Sequence, residues 1–168
     1  MSKAFTRESD DAPDLPVSPR RSALPAGAKN YLTSAGERSM REELERLLQI
    51  ERPALAAGDV ESRKQLPQVD QRILDLQQSL QAAVVVPPPT GDMPIDRVRF
   101  GATVTVRQRG VETRYRIVGV DEADFDRGWV SWLSPIAKAL VNSRTGQRVK
   151  FKFPSGEEEL EIVAVEYE

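Results

Sequence analysis

Two spacings divide this chain. Between residues 32 and 82 apolar side chains recur at three- and four-residue steps, and beyond residue 97 they alternate with polar ones. In the first region Met40, Leu44, Leu47 and Leu48 hold one stripe while Arg41, Glu42, Glu43, Glu45 and Arg46 fill the other face, the mark of an amphipathic helix. Ser34 is placed to cap that helix, with Glu37 three residues on in capping-box register. Pro53 is expected to kink it, since proline has no amide proton and its ring crowds the preceding turn; Ala54–Ala57 can carry helix on to a stop at Gly58. A second helix is predicted from near Pro67, with Val69, Ile73, Leu76 and Leu80 spaced four, three and four apart as in a heptad seam. The polar connection Gly58–Lys64 is short, so the two helices must run antiparallel and close their stripes together. An isolated pair of this length is marginal and needs anchoring at its base.

The alternating region predicts strands. Ala102–Val106 and Thr113–Val118 form a hairpin about Arg109-Gly110, and Val149–Phe153 and Leu160–Val165 a second about Pro154-Ser155-Gly156. Between them lie a short strand, Trp129–Leu133, and a short helix, Pro135–Val141, opened by Ser134 as cap. The pleat sends Trp129 and Trp132 to opposite faces; the more apolar Val130 face is expected to bury Trp132 and leave Trp129 partly exposed. The expected fold class is α+β: an N-terminal antiparallel helical hairpin, or coiled coil, and a C-terminal antiparallel sheet with one short helix. The run Pro87-Pro88-Pro89-Thr90-Gly91 separates them. The expected divisions are a tail at 1–29, the helical unit at 30–86, a linker at 87–96 and the sheet domain at 97–168.

Composition narrows the chemistry. Of 168 residues, 24 are basic and 26 acidic, so bulk charge does not mark a nucleic-acid binder. A local basic run, Arg107, Arg109, Arg114 and Arg116, reads either as a solvated face or as a track for nucleic acid or an acidic partner. Cysteine and histidine are both absent, which removes disulfides, thiol and imidazole chemistry and the usual zinc sites, and leaves oxygen ligands for any metal. The carboxylates Asp59 and Glu61, in the connection between the helices, read as metal ligands or as solvated loop acids; Arg63 and Lys64 beside them read as contacts to phosphates or an acidic centre, or as a solvated turn. No apolar run approaches the roughly 18 residues of a membrane span, and the N-terminus lacks a signal-peptide core, so the expected location is cytoplasmic without membrane. The proline-punctuated polar tail is expected to be disordered, as a partner-binding arm or a solubilising extension.

The order of short motifs in the C-terminal half resembles one family. Phe100-Gly101, Tyr115-Arg116-Ile117-Val118-Gly119, Asp121-Glu122-Ala123-Asp124-Phe125, Ser134-Pro135-Ile136-Ala137-Lys138-Ala139-Leu140, Pro154-Ser155-Gly156 and Val163-Ala164-Val165-Glu166-Tyr167 follow one another as in the bacterial transcript-cleavage factors GreA and GreB. The N-terminal part, from Lys29-Asn30-Tyr31-Leu32-Thr33 to Glu51-Arg52-Pro53, resembles the GreB branch. The resemblance implies an FKBP-like sheet domain, without isomerase activity, that docks at the rim of the RNA polymerase secondary channel through Asp121, Glu122, Ser134, Pro135 and Ala137. It implies a coiled coil inserted into the channel, with tip acids that help hold a magnesium ion at the polymerase active centre for cleavage of backtracked RNA. The chain would then be no enzyme itself, would carry no cofactor beyond magnesium shared with the polymerase, and would meet RNA and DNA only within the elongation complex, as a monomer.

The tip departs from that family. Its pattern there is Gly-Asp, two residues, then Glu-Asn; here Gly58-Asp59-Val60-Glu61 is followed by Ser62-Arg63, so Asp59 matches the first acid and Ser62 stands in the place of the second. The segment Arg52 to Ile73 is also shorter than the resemblance implies by about two heptads, one from each arm, which at about 1.5 Å per residue retracts the tip by about 10 Å. Weak or absent cleavage stimulation is the expectation. The alternatives are an active cleavage factor using Asp59 and Glu61 to hold magnesium, or an interaction module without a cleavage role, similar to Rnk-type polymerase binders or serving another partner.

Overall fold

The computed structural model describes residues 24–90, 95–153 and 156–168. Residues 1–23 of the expected tail, residues 91–94 of the linker and the Pro154-Ser155 turn lie outside the described residues. The chain is α+β, with a helical N-terminal region and a curled C-terminal sheet.

The N-terminal region opens with a strand the hydrophobic pattern did not announce, β1 (Asn30–Thr33), which pairs in parallel with β2 (Ala83–Val86). Between them lie α1 (Ser34–Arg46), a π-helical segment (Leu47–Glu51), α2 (Arg52–Ala57), a one-turn α3 (Val60–Arg63) and α4 (Leu66–Ala82). Thr33, not Ser34, caps α1: its hydroxyl accepts from Gly36 N at 2.9 Å, while Glu37 bonds Arg41 one turn on. The proline effect takes the form of the π segment. The Arg52 amide reaches back five residues to the Leu47 carbonyl, which widens the helix just ahead of the ring of Pro53. Gly58 ends α2 in an extended conformation, φ −77° and ψ −174°, so the stop owes nothing to left-handed geometry.

Contacts between the arms fall in opposite chain order. Met40 meets Ser79, Glu43 takes Arg72 in two bonds of 2.6 and 2.7 Å, and Arg52 meets Asp70. The seam buries Met40, Leu47, Val69, Ile73 and Leu76 together with Leu32 of β1. That small core follows from the heptad spacing, and Leu32 is the anchor at its base.

The second core lies in a five-stranded sheet of order β5-β4-β3-β7-β6. Its strands are β3 (Ala102–Gln108), β4 (Val111–Val118), β5 (Trp129–Ser131), β6 (Arg148–Phe153) and β7 (Gly156–Tyr167). The expected all-antiparallel sheet is corrected here: β5 joins β4 in parallel, so the sheet is mixed. A parallel partner needs a crossover, and the loop 119–128, with a 3-10 turn at Val120–Glu122, supplies it. The β3–β4 turn holds Arg109 at φ 49° and Gly110 at φ 83°, both left-handed as the tightest hairpin turns demand. Val104, Val106, Ile117, Leu160 and Ile162 are buried beneath α5 (Pro135–Leu140), which contributes Ala137 and Leu140. Val130 is buried as expected; Trp132 packs against this core from beyond the end of β5, and Trp129 is half-buried.

Candidate functional site

Three places on this fold hold the residues singled out by sequence: the tip of the helical arms, the loop and helix start of the sheet domain, and the seam between the two units.

At the tip, local chemistry determines the arrangement. Asp59 is extended and caps α3: its Oδ1 accepts from Ser62 N at 2.9 Å and from the Ser62 hydroxyl at 2.8 Å. These bonds, the backbone N–H first, hold the Asp59 carboxyl below its ordinary value. Glu61 pairs with Lys64 at 2.7 Å, and Arg63 Nε donates to the Gly58 carbonyl at 3.0 Å. Ser62, which stands where the resemblance has an acid, therefore spends its amide and hydroxyl on the acid that remains. Among the described residues no three acids come together as a metal cage, and the two tip carboxylates are bonded to different partners. A donor set of one capped aspartate and one lysine-paired glutamate does not fit a resident metal.

In the sheet domain, Ser134 caps α5 by accepting from Ala137 N at 3.2 Å, as its position before Pro135 predicts. Pro135 is exposed and Ser134 half-buried, but Ala137 is fully buried in the core. Ala137, expected from the resemblance to contact a partner, is turned inward under the sheet by helical periodicity. Glu122, expected from the resemblance at the same surface, also points inward. Only 9% exposed, it accepts from Thr33 N at 2.9 Å, from the Thr33 hydroxyl and from Gly119 N at 3.0 Å, so it faces the N-terminal unit rather than solvent. Asp121 accepts from Asn30 Nδ2 at 3.0 Å and from the Ser79 hydroxyl.

Phe125 is the functional candidate that sequence reasoning passed over. At 89% exposure it is the most exposed large apolar side chain among the described residues. It sits in a tight loop closed by bonds between Asp124 and Trp129 and from Gly128 N to the Phe125 carbonyl. Trp129, which opens β5 at the end of this loop, has two guanidinium groups over its ring, Arg116 at 5.2 Å and Arg127 at 5.1 Å from the ring centre. An aromatic held in a polar loop between Asp124 and Asp126 was the available signal.

The arginine run of the first hairpin is answered by glutamates across the strands. Arg107 pairs with Glu112 and Glu161, Arg109 with Glu158, Arg114 with Glu166 and Arg116 with Glu168. These pairs balance the charge of that face.

The comparisons with known proteins bear on the whole of this arrangement. The family model described as transcription elongation factor, GreA/GreB, C-term, matches residues 93–167. The transcription elongation factor GreB of Neisseria meningitidis serogroup B is 39% identical over 155 positions, covering 83% of this chain and 94% of that protein. The chain belongs to the GreA/GreB family. The GreA factor of Alkalilimnicola ehrlichii is also 39% identical, over 157 positions, covering 83% of this chain and 99% of that one. Among solved structures, a GreA/GreB elongation factor from Nitrosomonas europaea is 25% identical with a TM-score of 0.42, covering 83% of this chain and all of that one. GreA factor homolog 1 of Thermus thermophilus is 23% identical with a TM-score of 0.38, covering 83% of this chain and 99% of its own. Membership of the GreA/GreB family rests on the sequence relatives. Among the described residues no helix is long and apolar enough to cross a membrane.

Proposed function

We propose that this GreA/GreB-family chain binds RNA polymerase at the secondary channel and modulates elongation while giving little stimulation of RNA cleavage. The observation that carries the reading is the closed tip: Asp59 is committed to Ser62 and Glu61 to Lys64, so the second acid of the family pattern is replaced by the cap partner of the first. Length supports it. The GreB alignment runs over 155 positions but takes in 83% of these 168 residues, about 139, leaving about 16 positions of the relative with no counterpart here. A loss of two heptads from the arms would amount to about 14 positions. A tip set back by about 10 Å, at about 1.5 Å per helical residue, brings no oxygen within the about 2.1 Å that magnesium requires.

In this reading the sheet domain, FKBP-like in its implied relationships, docks at the channel rim through Ser134, Pro135 and the exposed Phe125 loop, while the antiparallel coiled coil enters the channel. Aromatic and arginine side chains are the residue types that anchor protein interfaces, and this loop presents exposed Phe125 close to Arg127 and Trp129. The chain supplies no complete active site and acts in the cytoplasm as a monomer.

A backtracked elongation complex tests the proposal. The expected result is binding to core polymerase and displacement of a full-length cleavage factor, with RNA release close to the factor-free rate. Robust cleavage that disappears in Asp59→Ala would establish the active-factor alternative instead, and failure to bind core polymerase would remove the polymerase role.

A further inference from the structure

Glu122 lies in the domain that carries the exposed loop, yet outside its own turn its hydrogen bonds go to Thr33, the residue that starts the helical arm. Thr33 offers it both the main-chain amide and the hydroxyl, and the same Thr33 oxygen receives the Gly36 amide as the cap of α1. The 3-10 turn also presents Asp121, which takes Asn30 at the start of β1 and Ser79 near the end of α4. Two adjacent carboxylates thus hold the base of both arms. The fit is close enough to require glycine on either side. A Cβ on Gly36 would stand 1.9 Å from Glu122 Oε1, and one on Gly119 2.1 Å from the Tyr31 carbonyl. Tyr31, between the latched residues, packs its ring on Phe100 at 5.8 Å and Trp132 at 5.2 Å.

We infer that Glu122 is a latch that sets the direction of the helical arm relative to the sheet domain, with Asp121 as its second catch. A buried carboxylate must keep its donors. If the arm swings away, Glu122 retains the Gly119 amide and loses both Thr33 donors, so the latched orientation is strongly favoured over neighbouring ones. Leverage makes this orientation consequential. The first arm, from Ser34 to Ala57, extends about 36 Å at about 1.5 Å per residue, so a turn of about 10° at its base carries the tip about 6 Å. Glu122 is therefore a positioning residue that acts through Thr33, and the inference concerns the free chain, independent of which partner the tip meets.

The chain has no cysteine, so two engineered ones can be spin-labelled cleanly. Val60→Cys at the tip and Val111→Cys at the start of β4 are exposed positions, 72% and 66%, and report the distance between the two units in the full-length protein. The latched protein should give one narrow distance distribution. Glu122→Ala should broaden it at least twofold, and Glu122→Gln, which keeps one acceptor oxygen but turns an amide N–H₂ toward donors, should broaden it less. Gly36→Ala should also broaden it, and should add nothing in the Glu122→Ala background, because the atom it strikes is gone. Amide protection of β3 and β7 in the sheet domain should stay unchanged in Glu122→Gln. An unbroadened distribution in both Glu122 variants overturns the latch. So does loss of that amide protection in Glu122→Gln, since that makes Glu122 a folding residue; if Glu122→Ala alone fails to fold, the Glu122→Gln distribution decides.

Discussion

Replacing Leu76 by alanine should open the helical arms while leaving the sheet domain intact. Leu76 is fully buried in the seam with Met40, Leu47, Val69 and Ile73, a cluster separate from the one beneath the sheet. The substitution removes about three methylene-sized groups, worth about 2.4 kcal/mol at about 0.8 kcal/mol each. Incomplete collapse of the cavity raises the cost to about 3 kcal/mol, within the range of about 2–5 kcal/mol for such truncations. At about 1.4 kcal/mol per tenfold, the opening equilibrium of the arms should rise roughly a hundredfold. Native-state hydrogen exchange reads this directly. Amides of α4 around Ile73 should exchange roughly a hundred times faster, and those of β3 and β7 around Val104 and Ile162 at their original rates. Equal acceleration in both regions would refute the separation of the two cores, and acceleration of less than tenfold in α4 would refute the packing assigned to Leu76.

Three further outcomes are expected. The cap at Asp59 depends on its ionised form, and its pKa is depressed in the fold, so its contribution is complete above the ordinary value of 3.8 and fades only as pH falls through the lower folded value. An NMR titration of the Asp59 carboxyl and the Ser62 amide should therefore share a midpoint below 3.8, and a midpoint above it would contradict the cap. Gly128→Ala should lower the melting temperature more than Gly146→Ala: both sit at positive φ, 71° and 83°, costing about 1–2 kcal/mol for handedness, but only at Gly128 does the added carbon meet backbone, the Arg114 carbonyl at 2.6 Å. Arg72→Ala should cost about 0.5–1 kcal/mol in the arms at low salt and less at high salt, as expected for a two-bond, half-buried pair with Glu43; chemical denaturation at two ionic strengths measures it.

Much of this molecule was written locally. Periodicity placed the seam residues, the Arg109-Gly110 turn followed from left-handed geometry, and Ser134 before Pro135 announced its cap. The cap at the tip went unread, although an aspartate followed three residues later by serine has the spacing of one helical turn. What local pattern could not supply were pairings between distant segments. The β1–β2 ribbon joins residues 53 apart in sequence, from Asn30 to Ala83, and the parallel β4–β5 pair depends on a crossover that no alternation of side chains encodes. Glu122 is the sharpest case. In sequence it stands beside Asp121 in a polar turn and reads as an outward-facing acid, but its main donor is Thr33, 89 residues earlier. Spacing along the chain determined which residues could cap, turn or pack within one element, because those choices are made by neighbours three or four positions away. Only the tertiary structure decided which carboxylate meets solvent and which is buried as a catch, because that depends on donors brought from the far end of the chain.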